Sequence, residues 1–128
     1  PALALLFCSF ALGACKKEPG PGGLAQIRGT IFRQHINNNT GVPDDDPYPY
    51  MEADVYIRYG DHDYYDDKTN TNPNGLYTFT WLRPGDYTIF VYSETGNCTD
   101  CKKAIEQKVT ISGSEDVVTV SNITVDNW

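Results

Sequence analysis

Apolar and polar positions alternate most regularly between Tyr77 and Val91. Tyr77, Phe79 and Trp81 are separated by Thr78 and Thr80, and Tyr87, Ile89 and Val91 follow at the same spacing. Period-2 alternation predicts strands with one buried face, so these side chains form the expected core. Asn74-Gly75 precedes the first run and tolerates positive φ. Between the runs, Arg83-Pro84-Gly85-Asp86 places proline and glycine in the order of a type II turn. The stretch from Thr69 to Ser93 is therefore predicted to be a hairpin.

The same pattern, more weakly drawn, runs through the rest of the chain. A first strand is predicted over residues 25–34, with Ile27, Ile31 and Phe32 inward, Arg28 and Arg33 outward, and a bulge at Gly29. Residues 35–50 carry three prolines and the run Asp44-Asp45-Asp46, which predicts a loop without a strand. Further strands are predicted over residues 52–59, 64–69, 104–111 and 117–125. In the first of these Val55 and Ile57 face in while Tyr56 and Arg58 face out; in the last, a parity shift implies a bulge. No helical periodicity of useful length occurs. Seven short strands separated by turns predict an all-β, antiparallel β-sandwich over residues 24–128.

Composition narrows the partners. The 128 residues suffice for one packed core. With 10 Lys and Arg against 17 Asp and Glu, and a net charge of −7, the chain lacks the clustered cations that phosphate binding needs, so no nucleic-acid partner is expected.

The beginning of the chain has a different character. From Ala2 to Leu12 it is a continuous apolar run, the length of a secretory core and too short to span a bilayer. Leu12-Gly13-Ala14-Cys15 follows directly and resembles a bacterial lipobox. That resemblance implies that residues 1–14 are a signal peptide, truncated at its start, and that Cys15 is acylated. Lys16, in place of the aspartate associated with inner-membrane retention, implies the outer membrane, with the leaflet left open. Several acyl chains would hold the protein stably on the membrane. Residues 15–23, the lipidated cysteine with Lys16-Lys17-Glu18-Pro19-Gly20-Pro21-Gly22-Gly23, read as a flexible tether.

Within the predicted sandwich, Glu52-Ala53-Asp54-Val55, then Thr69 through Asn74-Gly75-Leu76-Tyr77-Thr78-Phe79, then Leu82-Arg83-Pro84-Gly85-Asp86-Tyr87-Thr88-Ile89 resemble the pattern of carboxypeptidase regulatory-like and collagen-adhesin B-type domains. The resemblance extends over about residues 25–125 and implies an Ig-like/transthyretin-like sandwich serving as a non-catalytic stalk, spacer or binding module. The first strand offers Arg28 and Arg33 but no lysine, so the isopeptide crosslink of adhesin-type domains is not expected. The chain also lacks the histidine, arginine and Tyr-Arg-Gly-Ser features of transthyretin-like hydrolases.

Candidate chemistry is sparse. With Cys8 in the signal and Cys15 acylated, Cys98 and Cys101 remain as a local disulfide pair in an oxidising compartment. A redox role would want a helix N-terminus, and zinc would need His35 and His62 beside them. Asp44, Asp45, Asp46, Asp61, Asp63, Asp66 and Asp67 lie in or beside loops, where they are either solvated or a Ca²⁺ site. Residues 70–75 have the spacing of a calcium turn with amides in place of carboxylates. Tyr56, Phe90 and Tyr92 share the outward parity, and Tyr48 and Tyr50 lie in the long loop. Together they offer an aromatic patch for a glycan or an envelope protein. No Gly-x-Ser-x-Gly elbow accompanies either histidine, so no catalytic centre is expected. The expected function is a lipid-anchored binding, adhesion or spacing module, with a carbohydrate-binding accessory lipoprotein of the outer membrane as the alternative.

Overall fold

The structure is a computed structural model and describes residues 18–128. The apolar leader, Cys8, Cys15 and the first part of the expected tether lie outside the described residues. Among those described, the chain is all-β with no helix. Its strands are β1 (Pro21–His35), β2 (Tyr48–Pro49), β3 (Asp54–Tyr59), β4 (Asp67–Asn70), β5 (Leu76–Leu82), β6 (Gly85–Glu94), β7 (Lys102–Ile111), β8 (Val117–Thr119) and β9 (Ile123–Asn127). They form two sheets: one centred on β1, with β2, β5, β8 and β9 as its partners, and one in the order β4-β3-β6-β7.

The long first strand organises its sheet. β8 and β5 flank Ile27 and Arg28 on opposite edges, and β9 and β2 flank Phe32 and Arg33 further along. Ile27, Ile31, Tyr77, Phe79, Ile123 and Val125 from this sheet face Val55, Ile57, Tyr87, Ile89, Val91 and Ile111 from the other, and all are buried. The inward positions read from the alternation are thus largely the core, with Trp81 and Phe32 as exceptions; Phe32 has the opposite parity to the buried Ile31 and is only partly buried.

Five expectations need correction. First, there are nine strands among the described residues, not seven, because β2 forms inside the loop over residues 35–50 and the last expected strand divides into β8 and β9. Second, the sandwich is not wholly antiparallel, since β8 and β9 pair parallel with β1. Third, β5 and β6 are not a hairpin. β5 pairs with β1 and β6 with β3 and β7, so the Pro84-Gly85 turn carries the chain from one sheet to the other. The crossing distorts the end of β5: Trp81 takes a φ of 59°, its ring is 65% exposed, and Leu82 enters the core in its place.

Fourth, Gly29 is in register with Tyr77 rather than at a bulge; the irregularities of this pairing lie between Pro21 and Ile27. Glycine is required there for space, because a Cβ would stand 2.5 Å from the Tyr77 hydroxyl and 2.8 Å from its ring. Fifth, the tether is structured from Pro19 onward. Pro21–Gly23 belong to β1, and Gly20 is buried. The Gly20 N–H donates to the Tyr87 hydroxyl (2.8 Å), and the Gly20 carbonyl accepts from the Arg83 N–H (2.9 Å). The glycines bring backbone against backbone: a Cβ on Gly23 would lie 2.0 Å from the Leu82 carbonyl oxygen. Chain that would be a flexible spacer in isolation is held because its polar groups find partners on the sandwich.

Candidate functional site

Residues of β3 and β6 that point away from the core meet on the outer face of the four-stranded sheet. The ladder aligns Lys68, Tyr56, Phe90 and Glu106 in one row across β4, β3, β6 and β7. Tyr56 and Phe90 stack with centroids 5.1 Å apart and planes 14° from parallel. Tyr65, from the loop before β4, meets the Tyr56 ring edge-on at 4.9 Å, and Tyr92 meets Tyr56 and Phe90 edge-on at 5.5 and 5.8 Å. The Arg58 guanidinium lies 5.1 Å over Phe90 and bonds Glu106 through Nη2 at 2.8 Å. Phe90, though outward, is therefore buried under its neighbours, while Tyr65 and Tyr92 are half exposed.

The expected patch of Tyr56, Phe90 and Tyr92 is thus brought together, but as a knot in which Tyr65 and Tyr92 stand edge-on to the stacked Tyr56–Phe90 pair, and not as a flat platform. Edge-to-face packing lets the positive rim of one ring meet the negative face of the next, which favours this arrangement over a flat array. Burial and then the nearby Asp54 carboxylate raise the Tyr56 pKa, keeping its hydroxyl a donor.

Beside the knot a crevice of about 140 Å³ opens between the sheets. Tyr50, Asp54, Tyr56, Tyr92 and Lys102 form its mouth, and Ile31, Val91 and Val125 are among the core residues at its floor. Asp54 Oδ1 accepts from Asn70 Nδ2 at 2.7 Å and lies 3.5 Å from Lys68 Nζ. Tyr50 lines the crevice beside Tyr56 and Tyr92, with the Arg33 guanidinium 4.8 Å from its ring centre. Tyr48 does not line it; it is exposed on β2 of the other sheet. Tyr65, Arg58, Asp54 and Lys102 were missed by sequence reasoning. The exposed pair Tyr64-Tyr65 within an acidic turn was the available signal.

The carboxylates do not assemble. His35 Nδ1 bonds Asp44 Oδ1 at 2.7 Å near the end of β1, whereas His62 Nδ1 bonds the Asp66 carboxylate at 2.9 and 3.0 Å beyond the end of β3. The two acidic stretches lie at opposite ends of the sandwich, since the end of β1 pairs with Asn127 while Tyr59 pairs with Tyr87 at the start of β6. Asp66 also accepts from the Tyr59 N–H (2.6 Å), and Asp67 accepts from the Lys68 N–H (2.8 Å). Among the described residues no group of three or more His, Cys, Asp or Glu side chains converges as a metal site would require. These aspartates are thus not gathered into one group, and His35 and His62 stand at opposite ends of the sandwich. The hydrogen bond that the His62 ring donates to the Asp66 carboxylate, followed by the charge of that carboxylate, raises the His62 pKa above its ordinary value.

Cys98 and Cys101 form the expected disulfide, with Cα atoms 5.2 Å apart. It walls a polar cleft of about 530 Å³ at the end of the sandwich, together with Asn38, Glu94, Asp100 and Trp128. The backbone N–H of Trp128 donates to Glu94 Oε2 at 2.9 Å.

No protein-family model matches the chain. No curated protein matches it either. Among solved structures it is similar to a Pseudomonas aeruginosa protein provisionally described as carbohydrate binding, with 13% identity, a TM-score of 0.44, and coverage of 93% of this chain and 96% of that one.

Proposed function

We propose that this chain is a non-catalytic binding module of the bacterial cell envelope, anchored through an acylated Cys15, whose ligand contacts the tyrosine knot on the outer face of the four-stranded sheet. The observation that carries this reading is the knot itself. The solvent face of an antiparallel sheet is ordinarily polar, yet here Tyr56, Tyr65 and Tyr92 surround a buried Phe90. Tyrosines offer large contact area at small cost in conformational entropy, and aromatic residues with arginine dominate binding hot spots. The anchor is supported by the apolar run that ends in Leu12-Gly13-Ala14-Cys15. The transthyretin-like type of the sandwich belongs to the same reading and is supported by the Gly75-to-Ile89 pattern.

A glycan ligand is a second reading, and the crevice favours it. Asp54, Lys102 and the tyrosine hydroxyls can bond sugar hydroxyls beside the exposed edge of Tyr92, the pairing of polar groups with an aromatic ring that carbohydrates require. Screening the folded protein against a glycan array and against envelope proteins separates the two classes. Tyr65→Ala and Tyr92→Ala should each weaken whichever interaction is found by roughly 2 kcal/mol, as hot-spot truncation does. Undiminished binding by both variants, with stability intact, would remove the knot as the contact surface.

A further inference from the structure

We infer that the segment Pro19–Gly22 is a strut that fixes which end of the sandwich faces the lipid surface; this rests on the acylation of Cys15 proposed above. The expected tether is much shorter than its composition suggests. Pro19 is already packed on the fold, since a Cβ on Gly85 would lie 2.6 Å from its Cγ, and a Cβ on Gly60 would lie 3.7 Å from the same atom. Gly20 is fixed at both polar groups, by the Tyr87 hydroxyl and by the Arg83 N–H, and Pro21 is in register with Leu82. Between Cys15 and Pro19 the chain can reach at most about 14 Å, whatever its conformation, because an extended residue spans no more than 3.3–3.6 Å.

An acyl chain on Cys15 therefore brings one particular end of the sandwich to the headgroups. That end carries the Gly60–Asp66 loop, the Arg83–Asp86 turn and the Gly113–Asp116 turn, whose position is set by the Gln26 N–H bond to the Asp116 carbonyl. From Ala25, past the irregular start where Pro21 and Ala25 both face Leu82, β1 runs away from the membrane to His35, roughly 33 Å at the strand rise. The Asn37–Gly41 turn and the Cys98–Cys101 loop stand at the far end, beside the cleft that contains Trp128. The tyrosine knot, on a flank between the two ends, is left open to a ligand arriving parallel to the membrane. Asp61, Asp63 and Asp66 crowd the near end, so on anionic lipid this end is repelled while the short link holds it close.

The test uses the full acylated protein in vesicles of phosphatidylethanolamine and phosphatidylglycerol. Single cysteines replace Asp61 or Asn39, both exposed, and carry a fluorophore read against a headgroup-bound quencher. Strong quenching at position 61 and little at position 39 is the expected result. Equal quenching at both, or stronger quenching at 39, overturns the stance. Inserting ten Gly and Ser residues after Lys17 should abolish the difference, and a difference that survives insertion also overturns it, since the short link would then not be its cause. If Cys15 bears no lipid, acyl labelling and vesicle flotation fail for the unmodified protein, which refutes the anchor itself and is distinguishable from an acylated protein that floats without a preferred end.

Discussion

The Tyr87 hydroxyl donates to the Arg83 carbonyl at 2.6 Å and accepts from the Gly20 N–H at 2.8 Å, inside a side chain that is 1% exposed. Replacing it with phenylalanine keeps the ring packing but leaves both backbone groups short of a partner. Tyr87→Phe should therefore cost about 1–3 kcal/mol, read as a lowered midpoint in urea, with faster amide exchange at Gly20. His62 offers a second test at this scale. Its bond to Asp66 raises the folded pKa above the ordinary 6.5. The stabilisation is thus fully present below about pH 6.5 and is lost as pH rises through the folded value. NMR titration of the imidazole should give a pKa above 6.5 that falls back in Asp66→Asn, and an unshifted ring would contradict the contact. The bond is solvent-exposed, so the titration shift is a better readout of it than global stability.

At the scale of elements, the strands were legible in the sequence and their partners were not. Alternation depends only on which face of a strand is buried, and Ile27, Val55, Ile89 and Ile111 obeyed it. The Pro84-Gly85 turn encodes a reversal of direction, but a reversal within one sheet and a crossing between two sheets need the same residues. What distinguishes them is the consecutive pair Trp81-Leu82, where Trp81 is exposed and Leu82 buried, although period-2 reasoning had put Trp81 inward. Phe90 failed differently. Its parity was read correctly, but its burial comes from Tyr56, Tyr65, Tyr92 and Arg58, which gather around it only when β3 lies beside β6 and the loop before β4 folds over them. The crevice was invisible for the same reason, being made from both sheets. Gly29 gives this scale its prediction. Gly29→Ala forces a methyl group into the Tyr77 ring and should cost about 1–3 kcal/mol by overpacking. Combining it with Tyr77→Leu should cost less than the sum of the two single changes, because the smaller side chain opens the space.

For the whole molecule, the disulfide is a local feature and the strut is a global one. Cys98 and Cys101 close a ring with a sequence separation of 3, so the double change to serine should lower stability by no more than about 2 kcal/mol by loop entropy, measured by denaturant unfolding. Its effect should instead be felt in the end cleft, as altered exchange of the Thr95 amide, which bonds the Cys101 carbonyl. The contrast with the Gly-Pro stretch is instructive. Composition marked residues 15–23 as a spacer, and composition is a fair guide to isolated chains, but Tyr87 and Arg83 supply Gly20 with partners that no local reading contains.

β1 has a consequence in time as well as in space. Both of its edges are taken by later strands, and the register from Ile31–Ile123 to His35–Asn127 joins the strand near one end of the chain to the last one described. The five pairings from Ile31 to His35 can close only after β9 has emerged. Until then that edge of β1 stays unpaired from Ile31 to His35. The loop-closure entropy of such distant pairing makes this sheet the slow step of folding, so truncating β9 should harm refolding more than its five residues would suggest.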